Sequence, residues 1–282
     1  MPDIAYLNGK WMAISKAKVS IEDRGFQFAD GVYELIRVYA GRPFHLREHL
    51  TRLLASAEQI AISPTLSIPQ LERIVHTGCQ KCGYASAKIY IQFTRGAAPR
   101  LHHFPEKIKP TWVMTFRKLA PLEEATRRRG VSAITLSDVR WGRCNIKSLN
   151  LLPNVMAREQ AVRAGHFEAL FIRDGLVTEG AGSNVFAVIG NRIITPKEGP
   201  AVLSGITREL ILALGKKGGL LMVEGTVSLT QLRAADEIFL SGTTIELLPV
   251  VRLDGKKIGT GRPGPVSQTL YSAFSAYLQI AR

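Results

Sequence analysis

A single lysine, Lys147, is the residue in this chain whose setting most suggests chemistry. It follows an apolar run at 131–136 and a polar turn, and it precedes a predicted helix that has Pro153 near its start and ends by Gly165. A lysine at a strand-to-helix junction can point into a cleft, where desolvation makes its ammonium release a proton more easily. The amine so formed can attack an aldehyde and form a Schiff base. Because most lysines are solvated surface charges, this hypothesis needs further partners in the sequence.

Pyridoxal phosphate is the commonest aldehyde of this kind, and it requires an acid at its ring nitrogen, donors for its phosphate and a clamp for the substrate carboxylate. Glu179 ends a predicted strand before a glycine-rich turn, where a carboxylate could keep the ring nitrogen protonated. The segment 204–208 opens a predicted helix whose first amides, with the Thr207 hydroxyl, suit an anion. An ordinary turn residue and an ordinary capped helix are the simpler interpretations of these two features.

Basic residues that could bind anions lie in the first half of the chain. Arg52 is on the polar side of a predicted amphipathic helix, and Arg100 and His102 lie in a long irregular loop at 95–110. An arginine can bind a carboxylate through two parallel hydrogen bonds, and loops of this length in compact domains are often functional. Most helix and loop arginines are merely solvated, so each of these signals is weak when taken singly.

Bulk composition indicates a globular protein and excludes several classes. The chain has 282 residues, 46% of them hydrophobic and 21% charged, with a formal net charge of +14. The basic residues are scattered, which argues against a nucleic-acid partner and favours a general attraction for anionic substrates. No apolar run approaches membrane-spanning length, the N-terminus lacks the plan of a signal peptide, and three cysteines agree with a reducing compartment, so we expect a cytoplasmic protein with no membrane partner. Cys79 and Cys82 lie in a helical pattern without a second pair, and no metal site is expected.

The patterns along the chain predict α+β domains with mixed sheets and a cleft between them. Asn8-Gly9 is a hairpin signal, 22–31 is interpreted as a polar loop, and 32–39 alternates as a strand. Helices are predicted at 46–61, 67–83, 205–216 and 266–280, and a series of strands joined by glycine turns at 166–195.

Taken together, several stretches resemble the fold-type IV pyridoxal-phosphate enzymes, and most closely the D-amino-acid aminotransferases. They are EDRGFQFADGVYELIRVY, REHLTRLLASA, YIQFTRGAAPRLHHFP, RWGRCNIKSLNLLPNVMA, VTEGAGSNVF and SGITREL, in the family's order. The resemblance implies a small N-terminal α/β domain at 1–118 and a linker at 119–124. It also implies a larger C-terminal domain at 125–282, a mixed sheet or pseudo-barrel that carries the lysine, with the active site between the domains.

The resemblance assigns roles to individual positions. Lys147 is the Schiff-base lysine for pyridoxal 5′-phosphate, and Glu179 contacts the pyridine nitrogen. The phosphate is held by the positions Arg52, Ile206, Thr207 and Thr243. The substrate carboxylate is trapped by Tyr33, Arg100 and His102, of which the arginine and histidine reach in from a partner subunit, so a homodimer is implied.

The chain departs from the family's pattern at Ala181, Gly182 and Gly242, where the nearest relatives have serines. We expect backbone amides to donate in place of the hydroxyls, which would alter cofactor affinity without abolishing function.

The reaction implied is transamination between a D-amino acid, of the D-alanine or D-glutamate type, and a 2-oxo acid by a ping-pong mechanism. The alternatives on the same fold are a branched-chain L-amino-acid or (R)-amine aminotransferase and an aminodeoxychorismate lyase. A basic nucleic-acid-binding protein without catalysis is the alternative from another class.

Overall fold

The computed structural model describes residues 3–280, and the chain divides into two compact units. The first unit runs to Pro121 and also takes in Ile146–Asn150, while the second comprises Leu122–Asn145 and the chain from Leu151 onward. By its contacts, the short segment with Lys147 groups with the first unit, although we predicted that lysine in the second domain. The predicted domain boundaries themselves stay a prediction.

The first unit is a six-stranded antiparallel sheet with helices, in the order β2-β1-β6-β5-β3-β4. Its elements are β1 (Ile4–Leu7), β2 (Lys10–Ala13), α1 (Arg24–Phe28), β3 (Gly31–Tyr39), β4 (Arg42–Pro43), α2 (Leu46–Gln59), α3 (Ile68–Cys82), β5 (Ser86–Thr94) and β6 (Thr111–Lys118).

Local sequence explains most of these elements. Asn8 and Gly9 both take positive φ angles, 47° and 92°, as a two-residue hairpin requires. Ser67 and Gln70 form a reciprocal capping box at the start of α3, and Gly83 ends that helix in the left-handed conformation. On β3 the alternation predicted from the sequence is present, because Val32, Glu34, Ile36 and Val38 are all buried on the face that packs against α2.

The interpretation of 22–31 as a polar loop was wrong in part. Residues Arg24–Phe28 form the helix α1, whose N-cap Asp23 accepts a hydrogen bond from the Gly25 N–H at 2.8 Å. The Asp23 carboxylate also accepts from the Thr94 hydroxyl at 3.0 Å. A helix of five residues has no apolar period, so the cap and tertiary contacts determine it instead.

The second unit contains a nine-stranded mixed sheet whose main path is β12-β11-β10-β13-β14-β7-β8-β9, with β15 paired to β14. Its elements are α4 (Glu124–Arg129), β7 (Val131–Ser137), α5 (Leu152–Arg163), β8 (Glu168–Arg173), β9 (Leu176–Gly180), β10 (Asn184–Ile189), β11 (Arg192–Pro196), α6 (Ile206–Lys217), β12 (Leu221–Gly225), α7 (Leu229–Arg233), β13 (Glu237–Gly242), β14 (Glu246–Leu253), β15 (Lys256–Lys257) and α8 (Pro265–Ile280).

This sheet curls around one apolar core. The end strand β9 comes back to contact β10 and β11, and the enclosed cluster includes Leu170, Val185, Ile238, Leu240 and Leu248, each at most 2% exposed. Glu179 lies at the C-terminal end of β9, just before the short turn that leads into β10.

Residues 3–280 contain neither a membrane-spanning helix nor a metal-binding cluster. No helix in that range is long and apolar enough to cross a membrane. Within the same range, no group of three or more His, Cys, Asp or Glu side chains is placed to hold a metal ion.

Candidate active site

Lys147 is fixed through its backbone and leaves its amine beside a phenol. Its carbonyl accepts a hydrogen bond from the Tyr33 N–H at 3.0 Å, and its own N–H donates to the Ser56 hydroxyl of α2 at 3.3 Å. The segment continues this pairing with β3, since the Leu149 N–H donates to the Gly31 carbonyl at 3.0 Å. The half-buried Lys147 Nζ lies 3.5 Å from the Tyr33 hydroxyl and 4.5 Å from the centre of the Tyr33 ring.

A buried carboxylate from the opposite face of β3 holds the predicted phosphate arginine. Glu34 is 0% exposed, and it accepts from Arg52 Nε at 2.7 Å and Arg52 Nη2 at 3.0 Å in a bidentate pair. It also accepts from His49 Nδ1 at 2.7 Å, which makes Nδ1 the protonated nitrogen of that ring because an ionised carboxylate can only accept. Arg52 and His49 lie one turn apart on α2, so a single acid orients both.

The charges in this cluster shift two pKa values. Burial by itself would raise the pKa of Glu34, but the Arg52 charge and the His49 hydrogen bond outweigh it and lower the pKa to about 2. Burial lowers the pKa of His49, and the cations Arg52 and Lys147 lower it further, against the opposing effect of Glu34. The cluster therefore contains an ionised Glu34, a neutral His49 and a charged Arg52 near neutral pH.

Arg100 and His102 lie on the exposed loop where the sequence places them. The Arg100 guanidinium lies 4.7 Å from the centre of the Phe28 ring, and the His102 ring centre is 5.5 Å from it. Both side chains are exposed. The side chains of Arg100 and His102, the arginine and histidine of the predicted trap, therefore lie beside Phe28 of α1.

Glu179 lies in the second unit, buried at the end of β9. One carboxylate oxygen accepts from the Arg140 guanidinium. The other accepts from the Asn184 amide at 3.3 Å and from the Leu203 N–H at 3.0 Å. Three donors around one carboxylate favour its charged form, which is the form that can hold a proton on a ring nitrogen.

Arg140 is itself anchored by a second acid. Its Nε and Nη2 donate to the two oxygens of Asp138, each at 2.9 Å, and Nη2 also donates to the Thr178 hydroxyl at 3.1 Å. Burial raises the pKa of Asp138, but its hydrogen bonds and the Arg140 charge lower it by more. Nothing in the sequence pattern singled out Arg140 or Asp138, because their further partners, Thr178 and Glu179 on β9, lie 38 to 40 positions along the chain.

The predicted phosphate donors of the second unit lie at a helix start and in a turn. Ile206 and Thr207, both buried, open the 12-residue helix α6. The N-cap of that helix is Gly205, and it supplies no side-chain cap, so the helix start keeps its affinity for an anion. Thr243 lies in the turn between β13 and β14.

The residues around these donors leave hydrogen-bonding capacity unused. The Ser241 hydroxyl, just before that turn, is buried and has no hydrogen-bond partner in the described part of the chain. A Cβ at Gly205 would lie 1.9 Å from Asn184 Oδ1, so only glycine fits between Asn184 and the start of α6. The first unit supplies an amine and an arginine, and the second a helix start and a buried acid. These are the kinds of group that a pyridoxal phosphate needs, and the residues present fit that cofactor.

The expectation that backbone amides replace the missing serines is wrong at one of the three positions. The Ala181 N–H donates to the Ala169 carbonyl at 2.9 Å, so it has no proton left for a ligand. Gly182 and Gly242 lie close together, since a Cβ on Gly242 would be 3.6 Å from the Gly182 carbonyl oxygen. For these two glycines the expectation stays a prediction.

Sequence reasoning missed Glu34, His49, Arg140 and Asn184. A signal existed for Glu34, because an acid in an otherwise apolar strand face is buried and needs a partner. The partners of Glu34 are His49 and Arg52, which lie three residues apart on the facing helix α2.

Comparison with known proteins gives one family. Residues 31–253 match the model of the family described as amino-transferase class IV. A D-alanine aminotransferase of Bacillus licheniformis is 45% identical over 94% of this chain and 94% of its own. A D-alanine aminotransferase of Staphylococcus haemolyticus is 40% identical over 97% of each chain.

Solved structures agree on the fold. A branched-chain amino acid aminotransferase of Escherichia coli superposes with a TM-score of 0.92 at 28% identity, covering 98% of this chain and 94% of that one. A T.th. branched-chain amino acid aminotransferase with pyridoxamine 5′-phosphate has a TM-score of 0.91 at 28% identity, covering 99% and 95%. The predicted fold-type IV resemblance and α+β fold class are confirmed, and the chain belongs to the class IV aminotransferases.

Proposed function

We propose that this aminotransferase transfers the amino group of a D-amino acid, such as D-alanine or D-glutamate, to a 2-oxo acid. The observation that carries this proposal is the 38–45% identity to D-alanine aminotransferases over nearly the whole chain. The exposed Arg100-x-His102 element supports an amino-acid substrate, since the substrate carboxylate needs such donors. The enzyme depends on pyridoxal 5′-phosphate, as the sequence predicted.

The proton at the substrate's α-carbon is moved by Lys147. When bound, pyridoxal phosphate supplies an electron sink that lets the amino acid lose this proton. A lysine amine is a competent general base once it is neutral, and Tyr33, 3.5 Å from Nζ, limits the directions in which that amine can point. The same amine returns the proton, so one residue serves both directions of the reaction.

The cofactor's polar groups are assigned to the residues predicted for them. Arg52, oriented by Glu34, supplies a charge for the phosphate, together with the amides of Ile206 and Thr207 and the hydroxyl of Thr243. Glu179, held by Arg140, supplies the acid for the ring nitrogen.

The substrate carboxylate is assigned to Tyr33, Arg100 and His102, and we assign the last two to the partner in a homodimer. Their exposure on the loop beyond α1 supports this assignment, because side chains exposed in one subunit are available to another.

The three cysteines are unpaired and buried, which supports a reducing, cytoplasmic location.

The test is the handedness of the donor. The protein loaded with pyridoxal phosphate is given D-alanine or L-alanine with 2-oxoglutarate, and pyruvate is measured. We expect pyruvate from D-alanine, with the parallel double-reciprocal lines of a ping-pong mechanism. Activity with L-alanine alone, or with neither enantiomer, would overturn the D-amino-acid assignment.

A branched-chain L-amino-acid aminotransferase is the second candidate, because solved enzymes of that activity share this fold with TM-scores of 0.92 and 0.91. The fold does not select the substrate. With 2-oxoglutarate as acceptor and the 2-oxo acid formed from each donor measured, L-leucine and L-valine should be poor donors, and a preference for them over D-alanine would favour this candidate.

A further inference from the structure

The backbone of the Arg100-x-His102 element is held by a buried arginine of α1. Arg24, 3% exposed, donates from Nη1 to the Leu101 carbonyl at 2.6 Å and from Nη2 toward the His102 carbonyl at 3.5 Å. The guanidinium also lies 4.8 Å from the centre of the Phe28 ring, the same ring that Arg100 covers. Arg24 therefore fixes the backbone of the loop, whereas Phe28 supports its side chains.

Asp30 is the acid that holds Arg24 in place. Its Oδ2 accepts from Arg24 Nε at 2.8 Å and from Arg95 Nε at 2.8 Å, and its Oδ1 accepts from Arg95 Nη2 at 3.0 Å. The Asp30 side chain is 10% exposed and those of Arg24 and Arg95 are 3% and 6% exposed. One carboxylate thus joins two buried guanidinium groups, and little solvent is available to replace it.

Arg95 lies at the start of the same loop and also contacts a residue beyond His102. It is the first residue after β5, and its guanidinium lies 3.5 Å from the centre of the Phe104 ring, beyond His102. It also donates to the Ile60 and Ala61 carbonyls just after α2, at 2.7 and 2.8 Å. The loop is consequently tied at both sides of Arg100 and His102.

The contacts of Arg24, Asp30 and Arg95 with the loop affect how the loop can bind a carboxylate. A bidentate arginine binds a carboxylate well only when its geometry is held. Neither Arg24, Asp30 nor Arg95 projects from the exposed tip of the loop, yet together they determine where that tip lies. Removing the Asp30 charge leaves the buried cations Arg24 and Arg95 without their shared acid. The free-energy cost of two unpaired buried charges is large enough to shift the elements that carry them.

We propose that Asp30 is a positioning residue for the substrate carboxylate: through Arg24 and Arg95 it sets the place of Arg100 and His102. The proposal rests on the proposed function, in which those two residues bind that carboxylate. It assigns Asp30 no contact with substrate or cofactor.

The test measures binding and chemistry separately in the first half-reaction. The holoenzyme is mixed with D-alanine in single-turnover stopped-flow experiments, which give an apparent Kd and a limiting rate. For Asp30→Asn we expect the apparent Kd to rise by about tenfold or more while the limiting rate changes by less than about threefold. Cofactor retention on dialysis should be unchanged. Asp254→Asn, which alters an acid bonded to Thr135 and Arg233 in the other unit, is the matched control and should leave all three unchanged.

A double-mutant cycle with Arg100→Ala separates positioning from a general loss of structure. If Asp30 acts through the loop, Asp30→Asn should change the apparent Kd by less than about twofold once Arg100 is absent. An effect that multiplies with that of Arg100→Ala, or an unchanged Kd in Asp30→Asn, would overturn the proposal.

Two further outcomes are informative. If Asp30→Asn does not fold, Arg24→Lys keeps the charge beside Asp30 but loses the forked contact with the loop carbonyls, and the same criteria apply to it. If Arg100→Ala itself leaves the Kd for D-alanine unchanged, the carboxylate assignment under the proposed function fails, and the role of Asp30 fails with it.

Discussion

Replacing Glu34 with glutamine would test whether a buried charge holds Arg52 and His49. The pKa of Glu34 falls from 4.5 to about 2 in the folded protein. Since one pKa unit corresponds to ~1.36 kcal/mol, this depression corresponds to roughly 3 kcal/mol of stability at pH 7. Because Glu34 is 0% exposed, solvent does not reduce this value much. We therefore expect Glu34→Gln to lower the free energy of unfolding at pH 7 by roughly 3 kcal/mol, within the range for breaking a buried ion pair.

The loss should depend on pH in one direction. Since the pKa is depressed in the folded state, ionised Glu34 stabilises the protein fully above the unfolded pKa of 4.5, and this contribution disappears as the pH falls towards about 2. At pH 3 the same linkage leaves only about 1 kcal/mol of the contribution. The difference between the wild type and Glu34→Gln should thus shrink to less than half between pH 7 and pH 3.

Urea unfolding of the holoenzyme, followed by far-UV circular dichroism at both pH values, measures these differences. Glu48→Gln is the control, because Glu48 lies on α2, the helix that carries Arg52 and His49, and pairs with His45 at 2.9 Å with 54% of its side chain exposed. Such an exposed pair contributes no more than about 1 kcal/mol. If both variants lose the same stability, or if the loss in Glu34→Gln is the same at pH 3 and pH 7, the charge of Glu34 is not what holds the cluster.

Three further substitutions test the active site itself. Lys147→Ala should lower the transamination rate by at least about 10²-fold, measured as pyruvate from D-alanine, because the general base is lost; a rate near the wild type would remove Lys147 from catalysis. Arg140→Lys should raise the Kd for pyridoxal phosphate by about tenfold, measured by fluorescence titration, because one ammonium cannot replace the fork that reaches Glu179; an unchanged Kd would mean that Glu179 needs no such support. Gly205→Ala puts a Cβ 1.9 Å from a neighbouring amide oxygen, so cofactor affinity should fall, whereas Gly199→Ala meets nothing within 4 Å and should bind normally; equal affinities would refute the close fit at α6.

Strong local patterns determined which elements could be predicted. The hairpin at Asn8-Gly9 and the strand face of β3 were predicted correctly, because a turn signal and an alternation are each complete within a few residues. The helix α3 was predicted to within a residue at both ends for the same reason, since its capping box and terminal glycine are local. The residues assigned to the site by resemblance stay a prediction, although the positions that carry them are now described.

Features that depend on distant contacts could not be predicted. The helix α1 has five residues, too few for a period. It is held at its start by Thr94 of β5, which bonds the N-cap Asp23, and by the Gly96 carbonyl, which accepts from the Arg24 N–H. Arg24 and Asp30 looked like ordinary loop charges because the Leu101 and His102 carbonyls and the Arg95 guanidinium that complete their cluster lie 65 to 78 positions away in the chain, which no local window includes. The polar networks around the site are likewise completed by partners from distant parts of the chain, and so they were missed where the apolar elements were not.

One strand links the core of the first unit to its chemistry. Side chains alternate along β3, so the neighbours Tyr33 and Glu34 point to opposite faces, one beside the Lys147 amine and the other into α2, where it binds Arg52. A shift of one residue in the pairing of β3 with β5 would exchange these faces and put a carboxylate beside the lysine. The pairing runs unbroken from Gly31 to Tyr39, and the buried apolar side chains on the same face as Glu34 oppose such a shift. The packing of an ordinary apolar stripe therefore sets which residues meet the amine, and a mutation that loosened β3 would reduce activity without touching any residue of the site.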